Sequence, residues 1–457
     1  MEKLPPLQKL SDKEKESLIL KLWQKIQELE AALQSSNQQQ SSPQKTSKNS
    51  SIPPSKEFQK NFPQSESKSV RRKGSVGRKG GGRELDPNPD QIIIAQVKNC
   101  PHCGALSAAQ APKLTAIYEK LEIPPIQPIV SRIERYGGRC TCCALEYLAP
   151  VPLGMEEGSP FGNSVMSLVT YLRYTHAISY RRLSQLLSSI FGLKISEGGI
   201  ANLLETVKTR LDEPVQEILQ CLHSSKLICS DETGARVKGQ NQWEWVFQNQ
   251  DVCLHLIRPS RGAEVIQEVM ENHRPDVWVS DLFSAQKNHP AQKWQVGLAH
   301  QLRNCQYAID AGERVFAPVM KRILLRAFVI HRKRSTLKSS TLYQYRCDLK
   351  KRLRRALDLN PDHDDGIRLH KRYQKIQDNL FLFLEDASIP PTNNSSEQAI
   401  RMSTVFRKVT NGFRSDWGRD LFAAVRSVVN TGARQGLTAY QSITKSLSSN
   451  PSLFDPS

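Results

Sequence analysis

The chain has 457 residues, of which 64 are Lys or Arg and 45 are Asp or Glu, a formal charge of +19. This length predicts roughly two to four folded units, and the positive charge favours a polyanionic partner, with nucleic acid preferred to a membrane surface. We find no run of ~18 apolar residues and no signal peptide, so we expect a cytoplasmic protein.

Residues 1–36 are predicted to form a coiled-coil helix. The apolar residues of this segment alternate at spacings of three and four: Ile19, Leu22, Ile26, Leu29 and Leu33. This is the seam of a short coiled coil, which would make the protein a dimer. A lone amphipathic helix that packs on its own protein explains the pattern equally well.

Residues 37–90 are predicted to be a disordered basic linker. They are rich in Ser, Gln, Pro, Lys and Gly, and they contain too few aliphatic side chains to offset the chain entropy of folding. Basic residues lie among glycines in this segment with no acid between them: Arg71, Arg72, Lys73, Arg78, Lys79 and Arg83. They indicate either a flexible arm that contacts DNA phosphates or a simple solvated linker.

Residues 91–152 contain two C-x-x-C pairs, Cys100 with Cys103 and Cys140 with Cys143. Each pair can place two thiolates on one metal ion, and tetrahedral zinc accepts four such ligands. We therefore predict a zinc-binding domain with one structural Zn²⁺ rather than buried free cysteines, although the gap between the pairs is longer than usual. His102 and Cys142 are alternative ligands.

Residues 153–222 are predicted to form a helical domain. One helix should end near Phe191 and Gly192, and a second should begin after a tight turn with Ser196 as its N-cap. Two helices about such a turn resemble a helix-turn-helix that reads DNA, but the pattern is also common in ordinary helical bundles.

A change of period after Leu222 indicates a sheet. KLICSDETGARV, NQWEWVFQN and DVCLHLIRP read as three consecutive strands, RGAEVIQEVMENHR as a helix, and PDVWVSD as a fourth strand. If strands one and four are neighbours, Asp231 and Asp281 come together. Two carboxylates at strand ends suit Mg²⁺ or Mn²⁺, although exposed strand ends and helix caps are also common places for acids.

A third acid should come from a helix packed on that sheet. In PPTNNSSEQAIRMSTVFRK, the polar residues 393–396 are predicted to cap a helix and Glu397 falls in its first turn, on the same side as Arg401. Such a glutamate is also ordinary stabilisation of a helix dipole.

A basic helical insertion is predicted before this helix, at residues 311–389. Between Pro318 and Arg355 the sequence has thirteen Lys or Arg residues and a single acid, Asp348. Because a solvated helical face normally mixes both signs of charge, we interpret this stretch as a path for a DNA backbone.

Three stretches resemble one family: SDETGARVKGQNQWEWVF, VSDLFSAQKNHPAQKWQVGLAHQLRNC and PPTNNSSEQAIRMSTVFRKVTNGFRSDWGRDLFAAVRSVVNTGARQG. They are similar to the insertion sequence 66 family of bacterial transposases, which use a DDE triad. The resemblance implies an α/β fold: an RNase H-like mixed sheet with a large helical insertion. The catalytic core would then comprise residues 223–310 and 390–440, followed by a tail at 441–457.

The resemblance also implies the site residues. Asp231, Asp281 and Glu397 take the acid positions and would bind two Mg²⁺ or Mn²⁺ ions. The other matching positions are basic: His300, Arg303 and Arg401 as catalytic residues, and Arg407, Lys408 and Arg414 as DNA contacts. Leu282 and Phe283 depart from the family, since many relatives have Gly and Tyr there.

The function implied is metal-dependent DNA cleavage and strand transfer. The partners would be double-stranded DNA, both transposon terminal inverted repeats and target, and further copies of the chain in a homodimer or higher oligomer near the nucleoid. Two alternatives stay open: a zinc-containing DNA-binding protein descended from a transposase, and a nuclease of the same fold that does not join DNA.

Overall fold

The computed structural model describes residues 11, 15–19, 21–28, 43, 45–50, 83–106, 114–155 and 157–448. Residues 15–19 and 21–28 are helical, and the seam residues Ile19, Leu22 and Ile26 are exposed. Leu29, Leu33 and the basic residues 71–79 lie outside the described residues. Dimerisation through this helix therefore stays a prediction.

A small hairpin lies within the predicted zinc-binding segment. Its strands, β1 (Gly137–Arg139) and β2 (Glu146–Leu148), pair antiparallel, and the turn that joins them holds Cys140 and Cys143. An antiparallel bridge between Asn99 and Leu106 closes a similar turn around Cys100 and Cys103. Both C-x-x-C pairs thus lie at hairpin tips.

Three helices follow: α1 (Asn163–Tyr174), α2 (Tyr180–Phe191) and α3 (Glu197–His223). The predicted break between the last two is confirmed. Gly192 ends α2 in the left-handed conformation at φ 66°, and the Ser196 hydroxyl accepts a hydrogen bond from the Gly199 amide at 3.1 Å. The long helix α3 packs directly on a helix near the C-terminus, so the helical domain shares one core with the sheet domain.

The sheet has five strands in the order β5-β4-β3-β6-β7. Their bounds are β3 (Leu227–Val237), β4 (Gln240–Gln248), β5 (Cys253–Arg258), β6 (Val277–Ser280) and β7 (Lys293–Val296), and α4 (Glu264–Met270) joins β5 to β6. The first three strands form an antiparallel meander, while β6 pairs parallel with β3 and β7 pairs parallel with β6. The predicted strand order and the pairing of strands one and four are confirmed. The fifth strand was not predicted.

Among the described residues, seven helices follow the sheet strands, and those within residues 311–389 show that the insertion is helical, as predicted. They are α5 (Leu298–Asp310), α6 (Ala317–Arg332), α7 (Ser339–Leu357), α8 (Asp364–Ile376), α9 (Asn394–Thr410), α10 (Asp416–Arg434) and α11 (Ala439–Ser446). Short 3₁₀ turns lie at Ala285–Asn288, Arg334–Thr336, Gln377–Asn379 and Leu382–Leu384. In the part of the chain that the structure describes, no helix is both long and apolar enough to cross a membrane.

The two faces of the sheet are covered differently. On one face α9 packs over β3 and β4 and α10 packs over β5, and there Val246 and Cys253 meet Ala399 and Ile400. On the other face aromatic rings stack: the Trp245 and Phe247 rings are 6.0 Å apart and nearly parallel, and Trp278 lies against Phe247. Because side chains alternate along a strand, each residue of β3 and β6 faces either α9 or this aromatic layer.

Candidate active site

The direction of the β3 side chains separates two adjacent acids. Asp231 lies opposite Val246 and Glu232 opposite Trp245 in the antiparallel pair, so Asp231 faces α9 and Glu232 faces the aromatic layer. The Glu232 side chain is only 4% exposed, and it accepts hydrogen bonds from Arg261 and Gln286, both at 2.9 Å. Glu232 is therefore paired within the fold, whereas Asp231 lies on the face that α9 covers.

The other candidate residues collect at the ends of the parallel strands. Asp281 directly follows β6, and His300 lies in the first turn of α5, just after β7 ends. The His300 Nδ1 contacts the Asp281 carboxylate, and its Nε2 lies 3.4 Å from the Glu397 Oε1. Arg303, one turn further along α5, places its Nη2 3.4 Å from the same oxygen.

Asp281, His300 and Glu397 each offer a ligand atom, and these atoms lie within 4.8 Å of one another. No other trio of His, Cys, Asp or Glu in the described ranges is grouped so closely. Asp231 lies outside this trio, so His300 joins Asp281 and Glu397 more closely than the first acid does. The sequence assigned His300 a catalytic role but did not suggest it as a ligand.

Asp231 nevertheless belongs to the same electrostatic environment. Burial raises the pKa of its carboxyl well above the usual range, and the negative charges of Asp281, Glu232 and Glu397 raise it further. Crowded carboxylates of one sign favour either protonation or a bound cation. Carboxylate oxygens with one imidazole suit Mg²⁺ or Mn²⁺, so the residues present fit a divalent cation.

Two contacts fix the start of α9 against the sheet. The Gln248 side chain donates to the hydroxyls of Ser395 and Ser396 at 3.0 and 2.9 Å. Asn393, the N-cap residue, makes no side-chain bond to its own helix and instead donates from Nδ2 to the Ser230 carbonyl at 2.8 Å. The predicted cap is confirmed in position, because Asn393 is the N-cap residue, but its side chain ties the helix to β3, next to Asp231, instead of bonding to the helix.

The predicted basic residues are placed in two ways. Arg401, Lys408 and Arg414 are exposed along or just beyond α9, where a phosphate could reach them. Arg407 is half-buried, and its Nη1 donates to the Gly234 carbonyl of β3. Arg407 therefore holds α9 against the sheet with at least one of its nitrogens.

Gly297, between β7 and α5, was not singled out by the sequence. A Cβ placed on it would lie 2.5 Å from the Asp281 Oδ1, closer than real contacts allow. Its φ of −62° is accessible to any residue, so the glycine is required by space and not by backbone conformation. Nothing in the sequence pointed to Gln248, or to the contact that Asn393 makes with β3, because single amides in polar stretches give no periodic signal.

The cysteine pairs form a second, separate candidate site. In each pair the amide of the first cysteine donates to the carbonyl five residues on, at 2.7 Å for Cys100 and 2.8 Å for Cys140. Backbone and thiol hydrogen bonds, first those to Cys103 and Cys143, lower the pKa of the Cys100 and Cys140 thiols, as suits a metal thiolate. The structure does not bring the two pairs within reach of one ion among the residues described.

Comparison with known families bears on the site formed by the acids, and not on the cysteine pairs. A family model described as Transposase IS66 family matches residues 158–420. This range is more than half of the chain, and it contains Asp231, Asp281 and Glu397 but neither cysteine pair. A comparison with curated proteins gave no match.

Proposed function

Because the chain belongs to the IS66 family of transposases, we propose that it cuts DNA at the ends of an insertion sequence and joins those ends to target DNA. Asp231, Asp281 and Glu397 are its DDE triad. The observation that supports the proposal is the position of these acids: Asp281 and Glu397 group with His300, and burial, together with their charges, raises the pKa of Asp231 on β3, whose parallel neighbour β6 leads into Asp281.

The strand arrangement supports an RNase H-like catalytic core. An antiparallel meander of three strands continues into two parallel strands, with acids on the first strand, after the fourth and on a later helix. The basic insertion, residues 311–389, separates the second acid from the third. This order is what a two-metal site on such a fold requires.

The three carboxylates, with His300 beside them, are the residues that would hold two Mg²⁺ or Mn²⁺ ions. Bound ions of this kind supply Lewis-acid stabilisation of the attacking and leaving oxygens of a phosphodiester. In the first reaction the oxygen of water bonds to phosphorus, and the bond to the 3′ oxygen breaks to leave a 3′ hydroxyl. In the second, the oxygen of that hydroxyl bonds to a phosphorus of the target, and the bond from this phosphorus to the target's 3′ oxygen breaks to leave a 3′ hydroxyl, so no covalent enzyme intermediate is needed.

Basic side chains around the acids contribute positive charge. Arg303 belongs to α5, and its side chain reaches Glu397. Arg401 is exposed one turn after Glu397. Both can neutralise charge that gathers on the reacting phosphate. His300, in contact with Asp281, can orient the attacking group.

The insertion offers a surface for the DNA backbone. Of its thirteen basic residues between 318 and 355, four pair with Asp348 or Glu385: Arg326, Arg346, Lys350 and Arg352. Lys321 and Arg334 bond to other groups of the chain. The other seven are exposed and form no ion pair with a described residue: Arg322, Arg332, Lys333, Lys338, Lys351, Arg354 and Arg355. These seven favour phosphate contacts.

The remaining segments complete the proposal. The N-terminal helix would join two copies of the chain, and the C-x-x-C pairs would hold one structural zinc in a domain that binds the terminal inverted repeats. The basic arm at residues 71–79 would add phosphate contacts.

The test is strand transfer by the full-length protein. A labelled duplex that carries the inverted repeat flanking the gene is incubated with a target plasmid and Mg²⁺ or Mn²⁺. We expect joined product from the native protein and none above background from Asp281→Ala or Glu397→Gln, while Glu268→Gln, an exposed acid on α4, serves as control. Full activity of Asp281→Ala would refute the triad. Cleavage without joining would favour the nuclease alternative.

A further inference from the structure

Asn393 connects the parts of the candidate site to one another. Its backbone carbonyl accepts hydrogen bonds from the amides of Ser396 and Glu397 at 3.1 and 3.2 Å, so it fixes the turn that carries the third acid. Its Nδ2 donates to the Ser230 carbonyl at 2.8 Å, directly before the first acid. Asn393 is only 2% exposed.

The amide of Asn393 can be oriented in one way only. A carbonyl accepts and cannot donate, so the NH₂ end must face Ser230 and Oδ1 must face elsewhere. This Oδ1 is buried and has no hydrogen-bond donor within the described ranges. A buried acceptor without a partner destabilises the fold, and folded proteins seldom tolerate one without a functional reason.

The position of Asn393 indicates which group could donate a hydrogen bond to its Oδ1. A Cβ placed on Gly297 would lie 2.5 Å from the Asp281 Oδ1. It would also lie 3.4 Å from the backbone nitrogen of Asn393 and 3.5 Å from the Asn393 Cβ. Asn393 and the Asp281 carboxylate are therefore neighbours across one glycine. Because Nδ2 faces β3, Oδ1 faces another direction, and an uncharged buried oxygen near the Asp281 carboxylate is a hard acceptor that suits the water of a hydrated divalent cation.

We propose that Asn393 is a positioning residue of the cation site: its Oδ1 accepts a hydrogen bond from a water of the cation that Asp281 and Glu397 bind. The same side chain keeps α9 at the correct distance from β3 through its Nδ2. This inference rests on the proposed function, because it takes the acids to be cation ligands. Asn393 would then be an uncharged residue of the cation site that couples cation binding to the position of Glu397.

The test measures cation binding to the full-length protein without DNA, so that no step of catalysis enters the result. Mn²⁺ affinity is measured by calorimetry and by the loss of the free Mn²⁺ electron paramagnetic resonance signal. We expect Asn393→Ala to weaken Mn²⁺ binding about tenfold, as is typical when an outer partner of a metal site is removed. Asn394→Ala, the exposed neighbour, should bind Mn²⁺ like the native protein.

A second variant separates this role from a purely structural one. Asn393→Asp also loses the bond to Ser230, but it keeps an oxygen towards the cation. We expect thermal unfolding midpoints similar to those of Asn393→Ala together with a Mn²⁺ affinity restored to at least the native value. Native affinity in Asn393→Ala, or equal weakness in both variants, would overturn the inference.

Asp281→Ala separates this inference from the proposed function. If Asp281→Ala loses Mn²⁺ binding and Asn393→Ala does not, only the role of Asn393 is refuted. If Asp281→Ala also binds Mn²⁺ normally, the cation site itself is wrong.

Discussion

Asp231 of β3 and Asp281, which directly follows the neighbouring parallel strand β6, interact electrostatically although 50 positions separate them in the sequence. In the pairing of β3 with β6, Cys229 lies opposite Val279. If the same register is continued by two residues, Asp231 lies opposite Asp281. Both therefore point to the face covered by α9, and each repels the other's charge. The site is consequently strained by like charge unless a proton or a cation is present.

The first prediction contrasts the adjacent acids of β3. Asp231→Asn should abolish strand transfer, by at least about a hundredfold, yet raise the thermal midpoint in the absence of divalent cations, since it removes a repulsive charge. Glu232→Gln should leave strand transfer within a few fold but lower the free energy of unfolding by about 1–3 kcal/mol, because the bond from Arg261 loses its charged acceptor. Transfer assays and denaturant unfolding of both variants measure these effects. Loss of transfer in Glu232→Gln alone would reverse the assignment.

The second prediction concerns Gly297. A methyl group there would displace the Asp281 carboxylate, while the backbone conformation suits alanine. Gly297→Ala should fold with near-native secondary structure by circular dichroism but lose most of its Mn²⁺ affinity and strand transfer. Gly192→Ala is a useful contrast: its φ of 66° predicts lower stability, and its Cβ would meet open space far from the acids. Native Mn²⁺ affinity in Gly297→Ala would contradict the close approach.

The sequence predicted the parts of the fold that have strong periodic or capping signals. The meander β3 to β5, the helix α4 and the break at Gly192 are each encoded by residues close together in the sequence, through alternation and turn chemistry. The strand β7 was missed because only four residues, Lys293–Val296, form it, and they carry no alternation that is visible by itself. The acids were chosen through their order and a family resemblance, and the structure groups two of them, Asp281 and Glu397, with His300. The roles of Asn393, Gly297 and Gln248 depend on contacts between distant segments, which no local pattern encodes.

The third prediction addresses the cysteine pairs. The two turns share the same hydrogen bonds, and the residue after each pair has a positive φ: 73° at Gly104 and 57° at Ala144. We expect about one zinc per chain by mass spectrometry of protein purified without chelator. Cys140→Ser and Cys143→Ser should lose zinc, and Cys142→Ser should keep it. Protein free of zinc would rule the site out, whereas loss of zinc in Cys142→Ser would change the ligand set.

The fourth prediction uses the ion pairs of the insertion as a control for charge. Replacing Lys351, Arg354 and Arg355 with Gln removes three exposed cations. If each contacts a phosphate, the slope of log affinity against log salt concentration should become shallower by about two to three.

The matched triple variant replaces Arg346, Lys350 and Arg352 with Gln. It removes the same total charge from residues already paired with Asp348 or Glu385. Its salt slope for duplex DNA, measured by fluorescence anisotropy, should change much less. Equal slopes for the two variants would show that net charge, and not a path along the exposed residues, governs binding.

The fifth prediction concerns stability against pH. The His289 ring stacks on Trp278 with centroids 5.7 Å apart, and burial lowers the pKa of His289 from 6.5 to about 4. Between these values the unfolded chain binds a proton that the folded chain does not, so stability from this residue is present above pH 6.5 and is lost as the pH falls towards 4. His289→Phe keeps an aromatic ring against Trp278 without titrating. We therefore expect urea unfolding at pH 5, compared with pH 7.5, to show the folding equilibrium constant of the variant rising relative to that of the native protein by about thirtyfold. Parallel losses in both proteins would mean that His289 is protonated in the folded state.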